Sequence, residues 1–128
     1  FWQRGLIGRH ILREIIRGGG FNHELARTDD VDEYIDEVLK VDSKLFLELA
    51  EDMARFDVGE IADRVRCPTL LIAGARDKVV PPRETAYIAS KLPDAEMAML
   101  EHGSHCPHFD DPGTVNRLID EFLNRHGV

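Results

Sequence analysis

The chain of 128 residues has room for one ordinary domain. Its 43% hydrophobic and 31% charged side chains belong to a globular protein with a buried core, which excludes a disordered or fibrous chain. Twenty-four acidic against sixteen basic side chains leave a formal net charge of −8, which repels nucleic acid and anionic membrane surfaces and argues against both as partners.

No apolar run reaches the length of a membrane span and no charged-then-apolar leader is present, so the expectation is a soluble protein, cytoplasmic by default. The first residue is Phe1 rather than methionine, and the native start is expected upstream. Only Cys67 and Cys106 occur, too few for a disulfide scaffold, which fits a reducing compartment.

Between Trp2 and Arg17, Leu6, Ile7, Ile11, Leu12, Ile15 and Ile16 recur at three-to-four spacing and predict a helix with one buried face. Gly18-Gly19-Gly20 is expected to end it, and residues 21–30 read as a loop. Thr28, Asp29 and Asp30 offer capping oxygens, with Glu33 three residues after Asp30, so a second helix is expected over Val31 to Val41. A third, capped by Asp42 or Ser43, would carry Leu45, Phe46, Leu49, Ala50, Met53 and Phe56. These helices need something to cover.

From Cys67 onward the pattern becomes alternating strand and helix. Thr69-Leu70-Leu71-Ile72-Ala73, closed by Gly74, is a continuous apolar run suited to a strand buried on both faces of a parallel sheet. Pro81-Pro82 and Glu84 prepare a helix start, and Pro93 stops that helix near Lys91. Ala95 to Leu100 predicts a second strand. Val115, Leu118, Ile119, Phe122 and Leu123 mark a last amphipathic helix. Strand, helix, strand, helix makes one right-handed crossover unit of α/β class.

In open parallel sheets functional groups collect in the loops beyond the carboxyl ends of the strands. Asp77 follows the first strand and His105 the second, so neighbouring parallel strands would set the two loops side by side. A carboxylate that accepts a hydrogen bond from imidazole fixes its tautomer and stabilises the imidazolium formed when the ring takes a proton.

The run from Cys67 to Gly74 through Asp77 to Val80-Pro81, followed by Gly103-Ser104-His105-Cys106-Pro107-His108-Phe109-Asp110-Asp111-Pro112 and an apolar helix, resembles the C-terminal end of the α/β-hydrolase fold family. The resemblance covers roughly residues 61–128. It implies that Asp77 is the acid and His105 the base of a nucleophile-His-Asp triad. It also implies that residues 1–60 form a helical cap or lid, inserted before the last part of the core. The nucleophile would come from a missing N-terminal part of that core, a serine or less often an aspartate or cysteine.

No GxSxG-type turn precedes Asp77, and Ser43, Ser90 and Ser104 lack the flanking glycines. The expectation is therefore that this stretch supplies only acid and base and is inactive alone. In the intact protein it would serve an esterase-like hydrolase of an ester, thioester or related small-molecule substrate, with no cofactor and a possible homo-oligomer.

Other readings stay open. One alternative is a non-catalytic interaction module, another a transferase or lyase on the same scaffold. His102, His105, Cys106 and His108 crowd one loop with ligand-type side chains, yet a zinc site wants a second ligand pair that only Cys67, His10, His23 or His126 would supply, so no metal is expected. Cys106 reads as a small, partly buried side chain rather than a nucleophile. Trp2, Phe21, Tyr34, Phe46, Met53 and Phe56 would line a substrate pocket or, more simply, pack helices. Arg76 and Lys78 flank the acid.

Overall fold

The computed structural model describes residues 6–127; Trp2 and the start of the first predicted helix lie outside them. Helix α1 (Leu6–Gly20) runs through all three glycines at which the sequence predicts its end. Tertiary contacts override glycine's weak helix propensity there. The carbonyl of Gly20, one of the groups a helix end leaves without a partner, accepts from the Cys106 amide at 2.9 Å and the Ser104 hydroxyl at 2.8 Å.

Helix α2 (Thr28–Val38) begins at Thr28 rather than Val31. Arg27 precedes it without a side-chain cap, and Asp29 and Asp30 lie in the first turn, where they favour the positive helix end instead of capping it. Arg13 and Arg17 of α1 fasten α2 through Asp32 and Asp36, Arg13 meeting Asp32 at 3.2 Å.

Helix α3 (Ser43–Arg55) is capped by Asp42, whose carboxylate accepts from the amides of Lys44 at 3.0 Å and Leu45 at 3.1 Å. Its Leu45, Phe46, Leu49 and Met53 are exposed, as is Phe56 just beyond it. Two short turns of 3-10 helix follow, Val58–Glu60 and Ala62–Arg64. They carry no periodicity a sequence reading could catch; the first is set by the Asp57 carboxylate, which accepts from Gly59 at 2.8 Å.

The remainder matches the predicted order. Strand β1 (Thr69–Gly74) and strand β2 (Ala95–Leu100) pair in parallel, from Thr69 opposite Ala95 to Gly74 opposite Leu100. Helix α4 (Pro82–Lys91) forms the crossover, with Pro82 in its first turn. A single turn, α5 (Pro107–Asp110), leads into α6 (Pro112–His126), capped by Asp111 at one end and by Gly127 in the left-handed region (φ 72°) at the other. Among the described residues the sheet has only these two strands, so the outer edge of β1 stays open. Only Ala73 and Gly74 of β1 are buried, short of the two-sided burial its apolar run suggested.

The main buried cluster lies away from the sheet. Phe21, Val31, Ile35, Leu39 and Cys106 pack together, with Ile16, Ala26 and Phe109 against them. Phe21, Tyr34 and Phe109 meet edge to face with centroids 5.4–5.5 Å apart, a favoured aromatic geometry. The core therefore joins the helical half directly to the histidine loop.

Candidate active site

The β1–α4 loop and the β2–α5 loop start from paired residues, Gly74 and Leu100, and stay stitched beyond the sheet. The Ala75 amide donates to the Leu100 carbonyl at 2.8 Å and the Arg76 amide to the Gly103 carbonyl at 2.9 Å. Gly74 makes this approach possible. A methyl at its α-carbon would lie 2.2 Å from the Ser104 carbonyl oxygen and 2.3 Å from that of Gly103.

At the end of this stitching the two predicted residues meet. His105 Nδ1 lies 3.0 Å from Asp77 Oδ2. The other carboxylate oxygen, Oδ1, accepts from the amides of Val79 at 2.8 Å and Val80 at 2.9 Å. The turn that follows the acid thus holds its side chain still. Asp77 is 10% exposed and His105 39%, so the acid is enclosed and the ring reaches the surface.

Burial pushes the Asp77 carboxyl up, but the hydrogen bonds from His105, Val80 and Val79 outweigh it and leave the group below its ordinary value. An ionised carboxylate only accepts, so Nδ1–H is the donor in this pair; in the neutral form of such a ring the lone pair lies on Nε2.

This has a stability consequence with a definite sign. Asp77 titrates below the roughly 3.9 of an unfolded aspartate, so its contribution is complete above that pH and is lost as pH falls through the lower folded value. The variant Asp77→Asn is expected to lose less stability than the parent between about pH 5 and pH 2. Urea midpoints measured across that range in both proteins check this; superimposable acid limbs would exclude it.

The remaining predicted candidates are placed as follows. Arg76 Nη2 lies 3.0 Å from His102 Nδ1, with both side chains exposed. His108 is exposed and leans on Phe109, ring centroids 4.8 Å apart. Among the described residues no three His, Cys, Asp or Glu side chains are grouped as a metal ion requires. Cys106 is buried, and that burial, followed by the charges of Asp110 and Asp77, pushes its thiol up to about 11. A thiol so placed stays protonated at neutral pH and makes a poor nucleophile.

Ser104 and Ser90 commit their hydroxyls to the carbonyls of Gly20 and Tyr87. Phe21 is buried in the core; Tyr34 keeps its ring contacts to Phe21 and Phe109 but is exposed, as are Phe46, Met53 and Phe56. A cleft of about 320 Å³ is lined by residues that include Asn22, His23, Arg76, Lys78 and Ser104; the last three are sequence neighbours of Asp77 and His105, which themselves do not line it.

Sequence reasoning missed Asp110. It is 5% exposed and accepts from the amides of Asn22 at 2.9 Å and Ser104 at 2.5 Å. In sequence it is one of two adjacent aspartates before a helix, and no local signal separates it from the capping Asp111.

The family model for the α/β-hydrolase fold matches residues 13–112. The chain belongs to the α/β-hydrolase fold family. The match takes in most of the helical half as well as the strands.

Among curated relatives, the RutD protein of Pseudomonas savastanoi pv. phaseolicola, by name a candidate carbamate hydrolase, is 39% identical over 69 residues, which are 54% of this chain and 27% of the relative. RutD of Escherichia coli O1:K1 is 33% identical over 67 residues, 52% of this chain and 25% of the relative. The matched stretch spans about a quarter of the length of these relatives.

Two solved structures share the fold. A hydrolase from Oleispira antarctica aligns with a TM-score of 0.74 at 17% identity, over 91% of this chain and 41% of its own. An esterase from Thermogutta terrifontis aligns with a TM-score of 0.65 at 23% identity, over 93% of this chain and 49% of its own. Among the described residues no helix of this α/β-hydrolase chain is long and apolar enough to cross a membrane.

Proposed function

We propose that Asp77 and His105 are the acid and base of a nucleophile-His-Asp triad that hydrolyses an ester, thioester or carbamate of a small molecule. The observation that carries this reading is the 3.0 Å hydrogen bond between them, with the second Asp77 oxygen tied to two backbone amides. The hydrolase names of the relatives support it.

In this reading the nucleophile sits on a part of the enzyme outside these residues and reaches His105 Nε2. As it attacks the carbonyl carbon, its proton passes to Nε2, and Asp77 stabilises the imidazolium. The imidazolium returns the proton to the leaving alcohol, thiol or amine as the carbonyl re-forms, giving an acyl-enzyme. His105 next takes a proton from water, whose oxygen attacks the acyl carbon, and that proton goes to the released nucleophile.

The cleft bounded by Arg76, Lys78 and Ser104, the sequence neighbours of the pair, is the seat this reading gives the substrate, with residues 6–60 as the cap. The open edge of β1 fits a further strand of the same core, and the apolar side of α3 a second copy or the substrate entrance.

The test is pre-steady-state hydrolysis of short-chain p-nitrophenyl esters and aryl carbamates by the full-length protein. A burst of about one phenol per chain before steady turnover is expected. Absence of turnover across both substrate classes overturns the reading.

A further inference from the structure

The backbone on either side of His105 is clamped to one short strip of the helical half, and the clamp has a single carboxylate at its centre. Asp110 Oδ1 accepts from the Asn22 amide at 2.9 Å and Oδ2 from the Ser104 amide at 2.5 Å. The Ser104 hydroxyl donates to Gly20 at 2.8 Å, and the Cys106 amide donates to the same carbonyl at 2.9 Å and to Ser104 Oγ at 3.3 Å. The Asn22 side-chain amide donates to the His102 carbonyl at 2.7 Å.

The residues before and after His105 are therefore both held against residues 20–22, while the imidazole itself has one side-chain partner, Asp77. Resting on the catalytic reading of that pair, we propose that Asp110 is a positioning residue: its carboxylate locks the histidine loop onto the end of α1 so that the ring stays within reach of Asp77.

The chemistry calls for a carboxylate. The Asp110 carboxylate presents an acceptor oxygen to each of two N–H donors. An asparagine has one acceptor oxygen and must turn its NH₂ toward the other donor, leaving a buried backbone N–H without a partner. A site that sets the ring position by this clamp loses rate when the ring drifts, because a misplacement of about 1 Å costs on the order of 10²-fold.

The test compares full-length parent, Asp110→Asn and His105→Ala for hydrolysis of a p-nitrophenyl ester. It is read together with the downfield Nδ1–H proton resonance of His105 and with circular dichroism. For Asp110→Asn we expect kcat to fall about 10²-fold with KM little changed. The His105 resonance should broaden or vanish while the fold is retained. A folded Asp110→Asn protein with parental kcat and an intact resonance overturns the proposal.

Full activity of His105→Ala would instead overturn the catalytic reading beneath it, which keeps the two failures distinct. Hydrogen exchange in the parent protein supplies a measurement that needs no variant. The Ser104 and Asn22 amides are expected to exchange slowly for loop positions, and free exchange at both overturns the clamp.

Discussion

Replacing His105 by alanine is expected to lower kcat for ester hydrolysis in the full-length protein by on the order of 10⁴-fold or more, with a stability loss limited to about 1 kcal/mol for the broken hydrogen bond to Asp77. The ring is partly exposed and its one side-chain bond is to Asp77, so its loss opens no core cavity. On the proposed mechanism it removes the acceptor for the nucleophile's proton and the group that activates water, and it leaves Asp77 with nothing to orient. What persists would be binding and polarisation of the substrate carbonyl alone. A kcat within tenfold of the parent, in a folded protein, would remove His105 from the chemistry.

The second large effect is expected from a single methyl group, far smaller than the side chain of Asp77 or His105. Gly74→Ala places a Cβ 2.2–2.4 Å from backbone atoms of Gly103 and Ser104, and backbone cannot swing aside as a flexible side chain can. Relief requires that the acid-bearing loop and the histidine loop move apart. The expected cost is about 3 kcal/mol of stability or more, by the overpacking mechanism. Separation of Asp77 from His105 adds a fall in kcat on the order of 10²-fold.

Gly18→Ala supplies the contrast. Nothing lies within 4 Å of a Cβ there, and the site is helical, so this change is expected to stabilise by roughly 0.5–1 kcal/mol. Denaturant midpoints and kcat for the two variants check the pair of expectations. Equal tolerance of both would show that the loops do not depend on contact at Gly74.

The features legible in the sequence are those written locally. The strand Thr69–Gly74 shows as an apolar run closed by glycine, α4 as a double proline followed by Glu84, and α6 as a periodic face. The order strand, helix, strand leaves little choice but a parallel pair with its loops together; in and just after those loops, where His102, His108 and Asp110 also lie, it was the resemblance to the α/β-hydrolase family that singled out Asp77 and His105.

Tertiary contact hid the rest. Gly18-Gly19-Gly20 reads as a stop, and the helix continues because Ser104 and Cys106, more than eighty residues on, satisfy its last carbonyl. Residues 28–30 read as caps and became the first turn of α2 instead. The role of Asp110 depends on Asn22, which only the fold brings to it. The apolar face of α3 is exposed, and no spacing in the chain says what it would pack against.

The most direct test of the central claim is a double-mutant cycle on kcat/KM with Asp77→Asn, His105→Ala and the two combined, in the full-length protein. Groups that act as one proton-transfer unit are grossly non-additive, so His105→Ala alone should cost about as much as the double variant, and Asp77→Asn should add almost nothing to it. Two losses that multiply would mean that Asp77 and His105 act independently, which would contradict the account.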